Sequence, residues 1–380
     1  MHILIAPNAF KNALSASEAA ASILEGLKQS NLNFSSTIFP IADGGDGTAE
    51  LLIKKTNAAV INSIVQDPIG RKINSSFGLT DEGTAIIELA NASGLKLLKE
   101  DERDPLRAST YGTGELIKNA LDKKAKRILL CIGGSATIDA GTGILKALGL
   151  TFLDIHHREI FNVPEKLKDL HTIDMRMLDE RIKKTELIIL CDVENYLLGE
   201  KGAAAVFGPQ KGASNDDVNK LEAAFVNLKN VALDFIGKDL SKIKYGGAAG
   251  GVAAGLCGFL NARLVGGADY FLDQTNFNGA LENADLIITG EGSIDEQTFD
   301  GKAPFAIASR AKEKVIPVIA LAGKVPSFSN DKMKFYFDKL ISINQEPFEI
   351  DKALRDTSIN LTASAKELGY ALALKSPLSY

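Results

Sequence analysis

The sequence predicts an α/β protein: a doubly wound parallel sheet into which a second, mixed α/β domain is inserted. Three observations carry this expectation. Short apolar runs at 3–6, 285–289 and 317–323 each end in small or polar residues and lead into helical patterns. That is the strand-loop-helix order of a parallel sheet. Between these ends, residues 60–89 hold three short strands joined by the turn signals Asp67-Pro68-Ile69-Gly70 and Asp81-Glu82-Gly83. Links so short make antiparallel hairpins, not crossovers. Finally, 380 residues are more than one core usually serves. The expected division is 1–58 with 283–380 for the parallel-sheet domain and 59–282 for the insert.

Composition is that of an ordinary globular chain, with a net charge of −5 and no basic tract. Nucleic acid is therefore excluded as a partner class. Cys131, Cys191 and Cys257 are far apart and flanked by apolar residues. Small buried thiols of this kind suit a reducing, cytoplasmic compartment. Residues 1–6 enter a strand-like run without a basic n-region, so no signal peptide is expected. The longest uncharged stretch, 246–262, is too short and too glycine-rich to span a membrane.

In order, the run 3–6 is a buried strand ended by Pro7. Ser15 or Ser17 can cap the helix that follows, with Glu18 in its first turn and Ala19, Ile23 and Leu27 on its apolar face. Lys11 lies in the loop before it, either holding a substrate anion or simply solvated. A second strand ends over 37–41, and 49–53 reads as a helix. Ala42-Asp43-Gly44-Gly45-Asp46-Gly47-Thr48 is then a loop at a strand's carboxyl end, opening into a helix N-terminus. Ligands bind at such places in open α/β sheets. Glycines let the backbone approach a ligand, and the helix end favours anions. Two aspartates would repel a bare phosphate, so Asp43 and Asp46 make best sense around a divalent cation. The other reading is an acidic turn in which Asp46 caps the helix.

A helix is expected over 113–124, then a strand over 127–132. The stretch Gly133-Gly134-Ser135-Ala136-Thr137-Ile138-Asp139-Ala140-Gly141-Thr142-Gly143 follows. After a buried strand this is either a backbone-amide cradle for phosphate or a tight structural turn. It is neither a GxxxxGK[ST] loop nor a GxGxxG fingerprint. Residues 151–186 are polar and irregular. The strand 187–191 ends at Asp192, placed to act as a base or a metal ligand, or to close a turn. Residues 202–213 form a loop carrying Lys211, and 246–251 a glycine turn opening a small-residue helix. The strand 285–289 ends in Gly290-Glu291-Gly292-Ser293-Ile294-Asp295, followed by Thr298 and Gly301-Lys302-Ala303-Pro304. Pro304 suits the first turn of a helix. Strands at 317–323 and 339–342 and a helix over about 354–373 complete a Rossmann-type domain. This arrangement is expected to bring acidic and glycine-rich loops of both domains to one cleft.

The four histidines, His2, His156, His157 and His171, all lie outside these loops. That argues against histidine acid–base work, a Ser-His triad or a His-rich zinc site. Carboxylates, lysines and phosphate cradles without histidine suit Mg-dependent phosphoryl transfer, which rests on positioning and charge neutralisation.

The series APNAFKNALSA (6–16), ADGGDGT (42–48), YGTGELI (111–117), GGSATIDAGTG (133–143), CDVEN (191–195), GAAAVFGPQKGA (202–213), GGAAGG (246–251), TGEGSID (289–295) and GKAP (301–304) resembles the bacterial glycerate kinase family, type 1, from end to end. The resemblance implies a flavodoxin-like domain carrying an insert. It also implies ATP-dependent phosphorylation of D-glycerate to 2-phosphoglycerate, with ATP and Mg²⁺ as cofactors. Transfer to the 3-position, and another small hydroxy acid as substrate, are the alternatives. A non-catalytic sensor on the same fold is a remote one. Partners are the small-molecule substrate and ATP, with no membrane; monomer and homo-oligomer both stay open.

On that resemblance Lys11 holds the glycerate carboxylate or the transferred phosphate, and Asp192 orients the hydroxyl and accepts its proton. Asp43 and Asp46 face Mg²⁺. Gly133, Gly134, Ser135 and Thr137 contact phosphate, with Lys211 assigned alongside them. Gly290, Glu291, Asp295 and Lys302 form a further polar cluster. The chain also departs from the family pattern. Asn8, Ala9 and Asn12 stand within a segment that usually reads APDSFKG. Ser293 replaces a common Arg, and Tyr245 a common Gly.

Overall fold

The computed structural model describes residues 1–161, 164–299, 301–326, 330–344 and 349–374. Its strands in chain order are β1 (His2–Ile5), β2 (Ser35–Ile38), β3 (Ala59–Gln66), β4 (Lys72–Leu79), β5 (Thr84–Glu88), β6 (Arg127–Cys131) and β7 (Thr151–Leu153). They continue with β8 (Thr172–Asp174), β9 (Glu186–Leu190), β10 (Arg263–Val265), β11 (Leu286–Ser293), β12 (Val318–Lys324) and β13 (Lys339–Ser342). The chain forms two compact units, Met1–Asp43 with Gly267–Tyr380, and Gly44–Gly266.

The first unit holds one parallel sheet in the order β13-β12-β11-β1-β2. Numbered within the unit, that is 2-1-3-4-5, the flavodoxin-like order, whose direction reverses between β1 and β11. Ile3, Leu4 and Ile5 are fully buried, as expected of a strand covered by helices on both faces. The helix Ala16–Lys28 starts at Ser15, which resolves the choice of cap. Ser15 Oγ accepts the Glu18 N–H, and Glu18 returns a carboxylate to the Ser15 N–H at 2.8 Å. It packs on the last helix, Thr357–Leu374. At Gly26 a Cβ would stand 2.2 Å from the Thr362 carbonyl, so only glycine permits this approach.

The second unit is built on the sheet β10-β9-β6-β5-β4-β3. β3, β4 and β5 pair antiparallel, and β5, β6, β9 and β10 pair parallel. Its core includes Phe77, Ile87, Leu130, Ile189 and Phe225. Residues 151–186, irregular in the sequence, contain the antiparallel pair β7–β8. The glycine turn at 246–251 is as expected. Ala249, Gly250 and Gly251 have positive φ, so regular helix begins only at Val252.

Two segments fall in a different unit from the one expected. The helix Thr48–Lys55 belongs to the second unit, where Ile53 fills the space above Gly78 of β4. The helices Gly267–Gln274 and Phe277–Leu281 belong to the first. There Phe277 meets Phe39 edge to face at 5.2 Å, and Arg310 pairs with Asp269 and Asp273. Ile53 thus packs on a strand of the second unit, while Phe277 packs on Phe39, just past β2 of the first.

Candidate functional site

In the first unit the polar residues gather where β1 and β11 end, the switch point at which open α/β sheets bind ligands. Asn8 follows β1; its Nδ2 donates to Asp43 Oδ2 at 2.9 Å, and its Oδ1 accepts the Ala9 N–H at 2.8 Å. The backbone N–H of Asn8 donates to the Gly290 carbonyl of β11 at 2.8 Å. Glu291 is buried at 7% exposure and accepts a hydrogen bond from Thr298 Oγ1 at 3.3 Å. Burial pushes its carboxyl up to about 7; Lys302, Thr298 and Lys11 oppose the shift, and Asp43 adds to it. Lys302 Nζ lies 3.7 Å from Asp295 Oδ1, and Ser293 Oγ donates to Asp295 Oδ2 at 3.4 Å. Lys11 is exposed in the loop after β1.

One expected site residue takes another part here, and one departure from the family pattern has a backbone reason. Gly290 is buried within β11, where a Cβ would stand 2.0 Å from the Leu321 carbonyl, so close strand packing accounts for this glycine. Asn12 stands where glycine is usual in the resembling motif and has φ 64°. Asn tolerates that left-handed conformation better than other residues with a side chain.

In the second unit the segment 44–47 lies against the carboxyl ends of two strands. A Cβ on Gly44 would approach the Leu190 backbone to 3.2 Å, and one on Gly133 would collide with Gly45 and Asp46 at about 2.5 Å. The helix Thr48–Lys55 has Gly47 at its N-cap and no capping side chain there, so Asp46 is not its cap. Glu88, the last residue of β5, takes that part. Its Oε1 accepts from Gly47 N at 2.8 Å and its Oε2 from Ala49 N at 2.9 Å. Burial pushes the Glu88 carboxyl up to about 7 against these bonds. Asp46 pairs with Lys96. Sequence reading missed Glu88 and Lys96. Glu88 carried one signal, a carboxylate closing an otherwise apolar strand.

The stretch after β6 is a loop with open amides. Gly133 is half-buried and Gly134 exposed. Among the described residues no acceptor takes the backbone N–H of Gly133, Gly134 or Ser135. Backbone donors left open in this way suit an anion. The loop is held from behind by Leu95 N–H to the Gly134 carbonyl at 2.9 Å and Ala136 N–H to the Ser93 carbonyl at 2.9 Å. Thr137 is fully buried, and its Oγ1 has no partner among the described residues. Asp139, also fully buried, accepts from Thr110 N, Thr110 Oγ1, Gly141 N and Gly143 N. Lys211, expected at the phosphate, is 3% exposed and lies beneath the loop. Its Nζ donates to Ser135 Oγ and to the Thr137 carbonyl at 2.8 Å each. Asp192 is half-buried just past β9.

The donor set suits a hard cation. Asp46 lies beside Gly134, where a Cβ would stand 3.5 Å from the Asp46 Cγ. An anion on the open amides would therefore meet a carboxylate whose partner is the Lys96 ammonium, and a metal cation there would share or replace that pair. Among the described residues no three His, Cys, Asp or Glu lie close enough to hold a metal by themselves. Mg²⁺ characteristically uses one or two carboxylates with water and phosphate. No helix among the described residues is long and apolar enough to cross a membrane.

The glycerate kinase family model matches residues 3–373. The glycerate kinase of Bacillus subtilis (strain 168) is 40% identical over 375 residues, covering 98% of each chain. The glycerate 2-kinase of Escherichia coli (strain K12) is 37% identical, again over 98% of each chain. A crystal structure from Salmonella typhimurium LT2, provisionally named glycerate kinase 2, shares 36% identity and a TM-score of 0.81 over 98% of each chain. With the family match running almost from end to end, the chain belongs to the glycerate kinase family, phosphotransferases with an alcohol group as acceptor.

Proposed function

We propose that the chain transfers the terminal phosphoryl group of ATP, with Mg²⁺, to the 2-hydroxyl of D-glycerate. The observation that carries this reading is the set of open amides at Gly133, Gly134 and Ser135 beside the Asp46 carboxylate. It pairs a phosphate cradle with a cation ligand, as phosphoryl transfer needs. The 2-position is supported by the name of the Escherichia coli relative.

Asp43 and Asp46 are the metal-facing carboxylates, and the ion would neutralise charge on the phosphates. Asp192 orients the accepting hydroxyl and takes its proton. Lys11 holds the glycerate carboxylate or the transferred phosphate. Gly133, Gly134 and Ser135 hold a phosphate through their backbone N–H groups. Glu291, with Thr298, Asp295 and Lys302 around it, supports the loops at the ends of β1 and β11. The test is ADP release from D-glycerate, ATP and Mg²⁺, with enolase present and phosphoglycerate mutase left out. Enolase accepts 2-phosphoglycerate and not the 3-isomer, so phosphoenolpyruvate is the expected product. ADP without phosphoenolpyruvate would move transfer to the 3-hydroxyl, and no ADP would send the search to other small hydroxy acids.

A further inference from the structure

We propose that Lys211 is a positioning residue for the phosphate loop: buried behind residues 133–137, it fixes their shape and supplies positive charge beneath their open amides. The inference rests on the reading of that loop as the phosphate cradle.

Lysine is almost never fully buried unless paired. Lys211 ends the short turn Pro209–Lys211, and its ammonium donates at 2.8 Å to Ser135 Oγ and to the Thr137 carbonyl. The turn is fixed by Gly212, at φ +97°, where a Cβ would stand 2.7 Å from the Arg103 carbonyl. Among the described residues no carboxylate lies within 4.0 Å of Lys211 Nζ to form a salt bridge with it. Asp139 is the charge that acts on it, and its oxygens are taken up by Thr110, Gly141 and Gly143. Arg103 packs through its backbone on Gly212 at the same turn. The ammonium is thus a buried cation whose hydrogen bonds go to the loop itself. Ser135 contributes to both faces: its hydroxyl binds Lys211, and its N–H stays open.

Burial pushes the Lys211 amine down to about 7, with Asp139 opposing. An anion resting on the amides above would stabilise the charged form. Anion binding above pH 7 should therefore carry proton uptake by Lys211, because the free protein is partly deprotonated there and the bound one is not. A lysine serving only to pack the turn would show no such linkage.

The test is titration calorimetry of the full chain with ADP and Mg²⁺ at pH 6 and pH 8, each in two buffers of different ionisation heat. Wild type should take up a fraction of a proton at pH 8 and much less at pH 6. Lys211→Met should bind ADP at least about tenfold more weakly at pH 6 and lose the uptake, with its melting transition retained. ADP binding by Lys211→Met equal to wild type, or wild-type binding at pH 8 without proton uptake, would overturn the inference. The second result needs no variant, so a misfolded Lys211→Met leaves the test intact. If wild type binds no ADP at all, the phosphate-cradle reading falls first. If it binds ADP without Lys211 dependence, only the inference falls.

Discussion

Asn8 Nδ2 donates to Asp43 Oδ2 at 2.9 Å, joining the loop after β1 to the loop after β2 through an amide and a carboxylate. An aspartate at position 8 would instead set two carboxylates face to face, a pairing that a cation must offset. Asn8→Asp should therefore make stability depend on Mg²⁺. In EDTA the melting temperature should fall by a few degrees, for a loss of about 1–2 kcal/mol. Millimolar Mg²⁺ should restore it. Equal melting curves for the variant with and without Mg²⁺ would separate this carboxylate from any metal site.

Asp192 is the residue proposed to orient the reacting hydroxyl. Asp192→Asn keeps its shape and removes its basicity, so turnover should drop by at least about tenfold while ATP binding is kept. Steady-state kinetics beside a nucleotide-binding assay separates the two effects. Wild-type turnover would remove Asp192 from the mechanism.

Glu88 caps the helix Thr48–Lys55 with both carboxylate oxygens. Glu88→Gln can accept from only one of Gly47 and Ala49, since its amide NH₂ would meet the other N–H. It should lower both melting temperature and turnover. Glu88→Ala should cost about 2–3 kcal/mol for the charge-assisted bonds lost. Chemical denaturation measures the cost. Unchanged turnover in the glutamine variant would show that the acidic loop keeps its shape without this carboxylate.

Glu291 gives a pH signature with a definite sign. Its folded carboxyl, pushed up to about 7 by burial, keeps its proton where the unfolded chain has already released one. Between about pH 4.5 and 7 the folded state binds more protons, so this group's contribution to stability declines as pH rises through that window. Glu291→Gln should flatten that decline, as read from melting temperatures across pH 4.5–8. A variant profile parallel to wild type would place the titration elsewhere.

Val315 sits just past the helix Ala303–Glu313 at φ 57° and is 88% exposed. A β-branched residue is strained in the left-handed conformation that glycine usually supplies after a helix. Val315→Gly should stabilise the protein by about 1 kcal/mol with activity unchanged. A lower melting temperature would show that Val315 contributes more through contact than it loses in strain.

The sequence by itself determined the strand-loop-helix order, the hairpins at 60–89 and the family, because buried strands must be apolar and loops that touch ligands must be rich in glycine, hydroxyl or carboxylate. Those demands are local, so the strands β1, β6, β9 and β11, and the positions of the loops that follow them, could be read from short windows. Tertiary structure alone decided which groups complete the loops. Glu88 reaches a helix about forty residues earlier in the chain, and Lys211 reaches Ser135 from 76 residues away. Neither partnership leaves a periodic trace. The burial of Lys211 and Glu291, and so their shifted proton affinities, depends on surrounding volume that no short window encodes. The placement of 48–55 and 267–281 was decided the same way, by the contacts of Ile53 with β4 and of Phe277 with Phe39.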